Sequence, residues 1–282
     1  MGFKLGSTDI NQIYLGSTEI NMAYLGATLI YDNTTSFDAD YQAVLDRATT
    51  LGYTKPSAGQ QTKQNTLVLA LKAAGIWAKL DAFYPFATDG DSDYATLNWK
   101  TPTANQVTKF NSPLFTSNVG FAGDSTSAYL DYNFNPTTHG VNYTQNAASF
   151  GYLLADLGTQ LNSGQGDFYA DSGDRLWLRR APSQRIYINS STAFTLYSTT
   201  LVNGDWIHVN RSAVTTLRFY INGVLDTSGV TTSTGIPNTN ALSFYKPTIY
   251  SDSQLSCAWI GGDLSAEQAD FYTAWNDYLT SL

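Results

Sequence analysis

Three copies of one ten-residue unit open the chain, and no other feature constrains its fold as strongly. The copies begin at Leu5, Leu15 and Leu25, and each continues with Gly, Ser or Ala, Thr, one further residue and Ile. Gly followed by Ser favours a turn, while Ile-Asn-x-x-Tyr favours extended backbone, so each unit predicts one short strand and one turn. Fewer than three complete copies is marginal for an independent solenoid, because repeats bury apolar faces by stacking.

The repeat, residues 1–32, is therefore expected to attach the chain to a partner or to oligomerise it. A β-meander packed on the chain's own domain is the alternative. The residues expected at the attachment surface are Leu5, Ile10, Tyr14, Leu15, Ile20, Tyr24 and Leu25.

Composition excludes several classes of protein. Charged residues make up 13% of the 282 residues, the net charge is −8, and no stripe of Lys and Arg is present to neutralise phosphates, so we expect no nucleic-acid partner. No apolar run approaches the roughly 20 residues that span a bilayer, and the first residues lack an apolar signal region, so neither a membrane segment nor an export signal is expected. The single cysteine, Cys257, is expected to be a buried thiol.

The rest of the chain divides into two parts. Helical spacing predicts helices over residues 36–51 and 60–80, so residues 33–85 are expected to form a helical connector. From residue 86 onward, short strand patterns alternate with turn clusters, which predicts an antiparallel β-sandwich or jelly roll over residues 86–282. Ser265 and Gln268 have capping-box spacing, which predicts that a terminal helix begins there and packs on the sandwich.

Residues 205–223 read DWIHVNRSAVTTLRFYING, and the alternation in Leu217–Ile221 beside Asn222-Gly223 predicts a hairpin. The segment resembles the W-x-H-V hairpin of concanavalin A-like (laminin-G-like) jelly-roll domains, and residues 258–268 resemble the closing strand and helix of that family. The resemblance implies a mainly β fold: an antiparallel jelly-roll β-sandwich, preceded by the β-repeat and a short helical connector and closed by a C-terminal helix. It also implies a lectin-like domain.

The tandem repeat resembles the N-terminal regions of tail, fibre and head-decoration proteins of tailed bacteriophages. This resemblance implies a virion structural protein, located at the virion surface, that attaches to other virion proteins through its repeat. It further implies a homotrimer that displays the lectin-like domain toward a host-surface glycan. A decoration protein without any ligand is the alternative.

Concanavalin-like folds also include glycoside hydrolases, which makes catalysis a second alternative. The laminarinase-like motif E-x-D-x-x-E places two glutamates on one strand as nucleophile and acid. The chain has two glutamates, Glu19 and Glu267, and they lie far apart, so the motif is absent. His139 and His208 are the two histidines, and no G-x-S-x-G sequence accompanies them. We therefore assign no catalytic residue. A glycoside hydrolase that uses two aspartates as its catalytic pair is kept as the second alternative.

Asp89, Asp91 and Asp93 alternate along an acidic turn, as oxygen ligands of Ca²⁺ can do. An EF-hand loop would require Gly in place of Tyr94 and Glu in place of Lys100, so an acidic turn without metal is favoured. We therefore expect no cofactor, with Ca²⁺ as the weaker alternative.

A sugar site requires aromatic rings for C–H faces and polar side chains for hydroxyls. The residues predicted to bind such a ligand are Tyr169, Asp171, Trp177, Tyr187 and Asn189. A structural role is the alternative for each, since most aromatic residues must be core or trimer contacts. For the acidic group, charge pairing across a hairpin is the alternative; its members are Asp167, Asp171 and Asp174, beside Arg175, Arg179 and Arg180.

Overall fold

A computed structural model describes residues 3–5, 8–10, 13–15, 18–20, 22–25, 28–32, 37–159, 166–173, 175–179, 184–196, 200–246 and 249–282. Contacts divide the chain into two compact units, Met1–Phe37 and Asp38–Leu282.

The first unit consists of three two-stranded hairpins. Strand β1 (Phe3–Leu5) pairs with β2 (Thr8–Ile10), β3 (Ile13–Leu15) with β4 (Thr18–Ile20), and β5 (Met22–Leu25) with β6 (Thr28–Asp32), all antiparallel. The prediction of one strand for each ten-residue period was wrong, because each period contributes two strands. The Gly-Ser or Gly-Ala pair that separates the two strands of each hairpin in the sequence lies outside the described residues. All seven predicted attachment residues occupy strands β1 to β5.

The second unit contains five helices and seventeen strands among its described residues. The helices are α1 (Ala39–Leu51), α2 (Ala58–Ala73), α3 (Ile76–Lys79), α4 (Pro136–His139) and α5 (Gln268–Ser281), with a 3₁₀ turn at Tyr94–Thr96. The strands are β7 (Leu80–Pro85), β8 (Thr108–Phe110), β9 (Leu114–Thr116), β10 (Gly120–Ala122), β11 (Tyr129–Asp131), β12 (Ala148–Asp156), β13 (Gly166–Asp171), β14 (Arg175–Arg179), β15 (Gln184–Ser190), β16 (Phe194–Leu196), β17 (Asp205–Arg211), β18 (Thr216–Ile221), β19 (Val224–Val230), β20 (Leu242–Ser243), β21 (Tyr245–Lys246), β22 (Ile249–Tyr250) and β23 (Gln254–Gly261).

Two antiparallel sheets form a sandwich. One has eight strands in the order β19-β18-β17-β12-β23-β10-β9, with β7 also paired to β23, and the other has seven in the order β16-β15-β14-β13-β20-β11-β8. Fully buried side chains such as Phe150, Phe168, Ile188 and Phe219 fill the space between them. Alternate residues of a strand point to opposite faces, so each sheet also has an outer face. The predicted fold class, a mainly β antiparallel jelly-roll sandwich with a C-terminal helix, is confirmed.

The hairpin predicted from residues 205–223 is also confirmed. Strand β17 pairs with β18, and β18 turns back into β19 through Asn222 and Gly223. These two residues have φ values of 51° and 73°, the positive values that a type I′ turn requires and that Asn-Gly adopts readily.

The helices differ from the predictions at their ends. The predicted helix 60–80 stops at Ala73, because Gly75 takes a left-handed φ of 73°, and Leu80 begins strand β7. Strand β7 belongs to the eight-stranded sheet, so the sheet begins within the segment assigned to the connector. The predicted capping box is absent: α5 begins at Gln268, and the Ser265 N–H donates instead to Asp263 Oδ1 at 2.9 Å. None of the described helices is both long and apolar enough to cross a bilayer.

Helix α5 covers the outer face of the eight-stranded sheet. Phe271 lies 4.9 Å from Trp206 and 4.8 Å from Trp259 between ring centroids, and Trp275 lies 6.0 Å from Phe83. All five side chains are fully buried. Helix α5 also packs on α2, where the Gln64 amide donates to the Tyr278 hydroxyl at 3.1 Å. This outer face is therefore a second apolar layer.

Candidate functional site

The outer face of the seven-stranded sheet carries one row of directly opposed residues. Neighbours in the row face each other across β8, β11, β20, β13, β14 and β15. Opposed residues in an antiparallel sheet share a face, and Leu130, Phe168 and Ile188 on the same strands point into the core, so the row points outward. The members of this outer row are Thr108, Asp131, Leu242, Tyr169, Trp177 and Tyr187.

Three predicted ligand residues in this row pack on one another. Tyr169 meets Trp177 edge-on at 5.8 Å between centroids, and Trp177 stacks on Tyr187 at 5.2 Å. The Arg175 guanidinium lies over the Tyr187 ring at 5.1 Å. Only 5–7% of each of the three aromatic side chains is exposed. The rings therefore form a packed cluster that offers little free surface of its own.

Asp171 holds one side of this cluster through three hydrogen bonds. Its carboxylate accepts from the Tyr169 hydroxyl at 3.0 Å, from Arg175 Nε at 2.9 Å and from the Gly173 N–H at 2.7 Å. Partial burial raises the pKa of this carboxyl, but the bonds from Gly173, Arg175 and Tyr169 together bring the pKa below its ordinary value. Asp171 is therefore ionised at neutral pH and paired with Arg175.

Asn189, the fifth predicted ligand residue, is not at this surface. Strand β15 has a bulge, where Leu176 faces Ile188 and Arg175 faces Ser190, and Asn189 between them has a φ of 55°. The bulge turns its buried amide toward the loop at residues 143–145. There Oδ1 accepts from the Tyr143 hydroxyl at 2.6 Å, and Nδ2 donates to the Thr144 carbonyl at 2.9 Å. A bulge commonly redirects a side chain in this way.

A solvent-open depression of about 510 Å³ lies beside the packed cluster. Strands β11, β13 and β20, the start of β21 and the loop before β20 supply its walls. Most of its lining residues are amides, carboxylates or tyrosines. The full set of described lining residues is Asp131, Asn135, Tyr169, Asp171, Asn238, Thr239, Asn240, Leu242 and Tyr245.

Hydrogen bonds hold the polar groups of the depression in place. The Asn240 amide donates to Asp131 Oδ1 at 3.0 Å, and the Asn135 amide donates to Asn238 Oδ1 at 3.0 Å. Thr239 Oγ1 donates to the Asp171 carbonyl at 3.1 Å, which ties the loop before β20 to β13. The walls are thus preorganised, and little side-chain entropy would be lost when a ligand binds.

Aromatic rings continue from the depression as a second feature, which we call the aromatic ledge: Phe110, Tyr129, Tyr245 and Tyr250. Phe110 stacks on Tyr129 at 4.5 Å between centroids, Tyr129 lies 5.0 Å from Tyr245, and Tyr245 lies 5.1 Å from Tyr250. Phe110 is 38% exposed. The ledge therefore presents free ring surface next to polar groups.

Of the residues that line the depression, only Tyr169 and Asp171 are predicted from the sequence. The remainder come from strands and a loop far apart in the chain, which meet because β13 and β11 both pair with β20. The signal that the sequence offers is the cluster Ile236-Pro237-Asn238, which is typical of a turn and does not indicate a ligand site.

The aspartates of the possible Ca²⁺ site are engaged in local bonds. Asp89 Oδ1 accepts from the Ser57 N–H at 3.0 Å, Asp91 Oδ2 accepts from the Thr54 N–H at 2.6 Å, and Asp93 Oδ1 binds Lys109 Nζ at 2.7 Å. Across the described ranges, no three acidic, histidine or cysteine side chains converge as metal ligands would. The acidic turn fastens the loop between α1 and α2.

Both histidines are held in structural positions. His208 is fully buried between Tyr220 and Trp259, and burial lowers its pKa to about 3, against a weaker opposite effect of Asp263. His139 Nδ1 accepts from the Asn135 N–H at 2.9 Å. Cys257 is buried, as predicted.

No family model and no curated protein matches the chain. Several solved structures do. A mutant Trypanosoma rangeli sialidase displaying trans-sialidase activity matches at 10% identity with a TM-score of 0.50, over 78% of this chain and 40% of that one. A structure of botulinum neurotoxin type C, whose cell entry depends on two ganglioside molecules, matches at 12% identity with a TM-score of 0.48, over 73% and 53% of the chains.

Domain 4 of a GH43 extracellular arabinanase from Geobacillus stearothermophilus, in complex with arabinotriose, matches at 14% identity with a TM-score of 0.40, over 69% and 98% of the chains. The matches span only about half of the neurotoxin chain and less than half of the sialidase chain. At these identities the sialidase likeness supports the β-sandwich fold and nothing finer.

Proposed function

We propose that residues 38–282 form a glycan-binding domain and that the depression beside the outer row is its binding site. The observation that carries the proposal is the convergence of preorganised amides and carboxylates with tyrosine rings. Asp131, Asn238 and Asn240 offer donors and acceptors for sugar hydroxyls, while Tyr245 and the aromatic ledge offer ring faces for sugar C–H groups. A concave site with a few fixed polar groups beside aromatic surface has the general form of a small-ligand site.

The fold shared with the sialidase is in keeping with a sugar ligand, but the proposal depends on the side chains of the depression. Binding rather than hydrolysis is favoured, because both histidines serve structural roles and Asp171 is committed to Arg175. Hydrolysis by an aspartate pair remains the alternative that the experiment below decides.

We further propose that the chain is a virion-surface protein of the tailed-bacteriophage type: a fibre, spike or head-decoration protein. Residues 1–32 would attach it to other virion proteins and hold it as a homotrimer. The supporting observation is three successive two-stranded hairpins, since a single hairpin of this kind is marginally stable alone. Three weak glycan sites held together would bind a host surface with useful avidity.

The experiment is to apply the purified chain to an array of bacterial surface polysaccharides while released sugar is measured. Retention without release is expected, and Asn240→Ala should reduce it. Release of sugar would establish the hydrolase instead. Binding to virion proteins, without retention of any polysaccharide, would leave a decoration protein that has no glycan ligand.

The trimer has its own test, light scattering of the full chain and of a chain lacking residues 1–32. A trimer that becomes monomeric on truncation is expected. If both forms are monomers, the repeat does not oligomerise the chain.

A further inference from the structure

The charged side chains that line the depression, among the described residues, are both carboxylates. Asp131 and Asp171 line it, and none of its described lining residues is Lys or Arg. The hydrogen bonds that Asp131 accepts come from neutral donors, the Asn240 amide at 3.0 Å and the Asn133 N–H at 2.7 Å. Among the described residues, the Asp131 carboxylate therefore has no cation as a bonded partner.

Arg175 is the cation next to the depression, and it is engaged. Its Nε donates to Asp171 Oδ2 at 2.9 Å, and its guanidinium lies over the Tyr187 ring at 5.1 Å. A ligand carboxylate that approached this guanidinium would compete with Asp171, whose position a backbone N–H and a tyrosine hydroxyl also stabilise. Arg175 thus neutralises Asp171 and leaves no net positive charge for a ligand.

Resting on the glycan-binding function above, we propose that the depression takes an uncharged sugar chain and discriminates against chains that carry carboxylate, sulfate or phosphate groups. Carboxylates accept hydrogen bonds from sugar hydroxyls, so they favour a neutral polyol. They repel an anionic substituent placed within a few ångströms, and the chain's net charge of −8 adds to that repulsion.

The test uses matched ligands. Each acidic polysaccharide of a bacterial panel is immobilised as isolated and again after its carboxylates have been reduced to primary alcohols, which keeps the linkages and removes the charge. We expect the full-length protein to bind neutral and carboxyl-reduced chains at least about tenfold more tightly than the acidic originals. Raising the salt concentration should reduce this difference in affinity between the neutral and the acidic chains, because salt screens exposed charges.

Two variants test whether Asp171 and Asp131 cause the discrimination against acidic chains. Asp171→Asn removes the partner of Arg175 and should increase binding of the acidic originals, since the guanidinium becomes available to a carboxylate. Asp131→Asn removes one carboxylate without releasing a cation, so it should weaken discrimination by a smaller factor. If Asp171→Asn does not fold, as judged by circular dichroism, Asp131→Asn still tests the repulsion.

The outcomes separate the two proposals. Preference for the reduced chains, lost in the variants, supports discrimination by charge. Equal or tighter binding of the acidic originals by the unaltered protein overturns this inference and leaves glycan binding intact. Failure to bind any chain, charged or neutral, overturns the glycan-binding function itself and this inference with it.

Discussion

The two outer faces of the sandwich each carry a row of directly opposed residues, but in the part of the chain that the structure describes helices cover only one of them. On the eight-stranded sheet the row crosses β7, β23, β12, β17 and β18. The members of this covered row are Phe83, Trp259, Gly151, His208 and Tyr220. On the seven-stranded sheet, the outer row includes Asp131 and Tyr169, and an open depression lies beside it.

The difference lies in what the outward side chains can bind. On the covered face, the indole N–H groups of Trp206, Trp259 and Trp275 are buried without a hydrogen-bond partner among the described residues, so apolar contact dominates there. On the other face, Asp131 and Asp171 have several partners each. The same alternating strand pattern therefore yields a packing layer on one face and a candidate binding surface on the other. Four variants can break or sharpen this contrast.

Trp275→Ala should have the largest effect, because it removes the centre of the helical cover. The side chain is fully buried against Phe83, Trp206 and Tyr278. Replacing a buried Trp by Ala typically costs about 3–5 kcal/mol of the free energy of unfolding. Urea denaturation measures the loss, and Asn276→Ala, at an exposed position of the same helix, is the matched control. If the two variants were equally stable, the packing of Trp275 in α5 would not stabilise the eight-stranded sheet.

Gly151→Ala should come next. A Cβ at Gly151 would lie 2.1 Å from Trp259 Cζ2 and 2.2 Å from the Ile207 carbonyl oxygen, which is backbone and cannot move aside easily. Overpacking of this kind costs about 1–3 kcal/mol. The control is Gly59→Ala in α2, where a Cβ meets nothing within 4 Å. A denaturation midpoint for Gly151→Ala that matches the control would contradict the close packing described.

His208→Phe should change the pH dependence of stability. The folded pKa of His208 is about 3, below the ordinary 6.5, so the unfolded chain binds a proton first as pH falls. The contribution of neutral His208 to the free energy of unfolding is therefore fully present above pH 6.5 and is lost progressively between about pH 6.5 and 3. Between pH 7.5 and 4.5 the unaltered chain should lose roughly 3 kcal/mol more of its free energy of unfolding than the variant, as judged by urea denaturation at each pH. Parallel losses would indicate that His208 is not buried in its neutral form.

Asn240→Ala should have the smallest effect on stability and a clear effect on ligand binding. It removes the hydrogen bonds from one amide to the two carboxylate oxygens of Asp131, which are worth about 1 kcal/mol, but it also removes a wall of the depression. Binding of the best neutral polysaccharide should fall about tenfold by calorimetry. Asn203→Ala removes one exposed hydrogen bond, which Asn203 accepts from the Leu157 N–H. Asn203 does not line the depression, so this control should leave binding unchanged.

Much of the fold could be predicted from sequence because its signals are local. The alternation before Asn222-Gly223 predicts the hairpin of β18 and β19. Helical spacing in the sequence places Phe271, Trp275, Tyr278 and Leu279 on one face, and the first three are buried in α5. The depression could not be predicted in this way. Its members approach one another only through pairing between strands more than 70 residues apart in sequence, such as Tyr169 with Leu242. Asn189 was misplaced because period-two alternation continues through a strand, whereas the bulge at this residue interrupts it.

The position of α5 in chain order has a consequence for biosynthesis. Every strand of the eight-stranded sheet precedes it, so a nascent chain completes β23 before the helix that covers Trp206 and Trp259 has been made. Until α5 docks, the two stacked indoles lack their cover, and transiently exposed apolar surface of this kind promotes association between growing chains. Between the emergence of β23 and the docking of α5, the chain therefore exposes apolar surface that the folded protein covers.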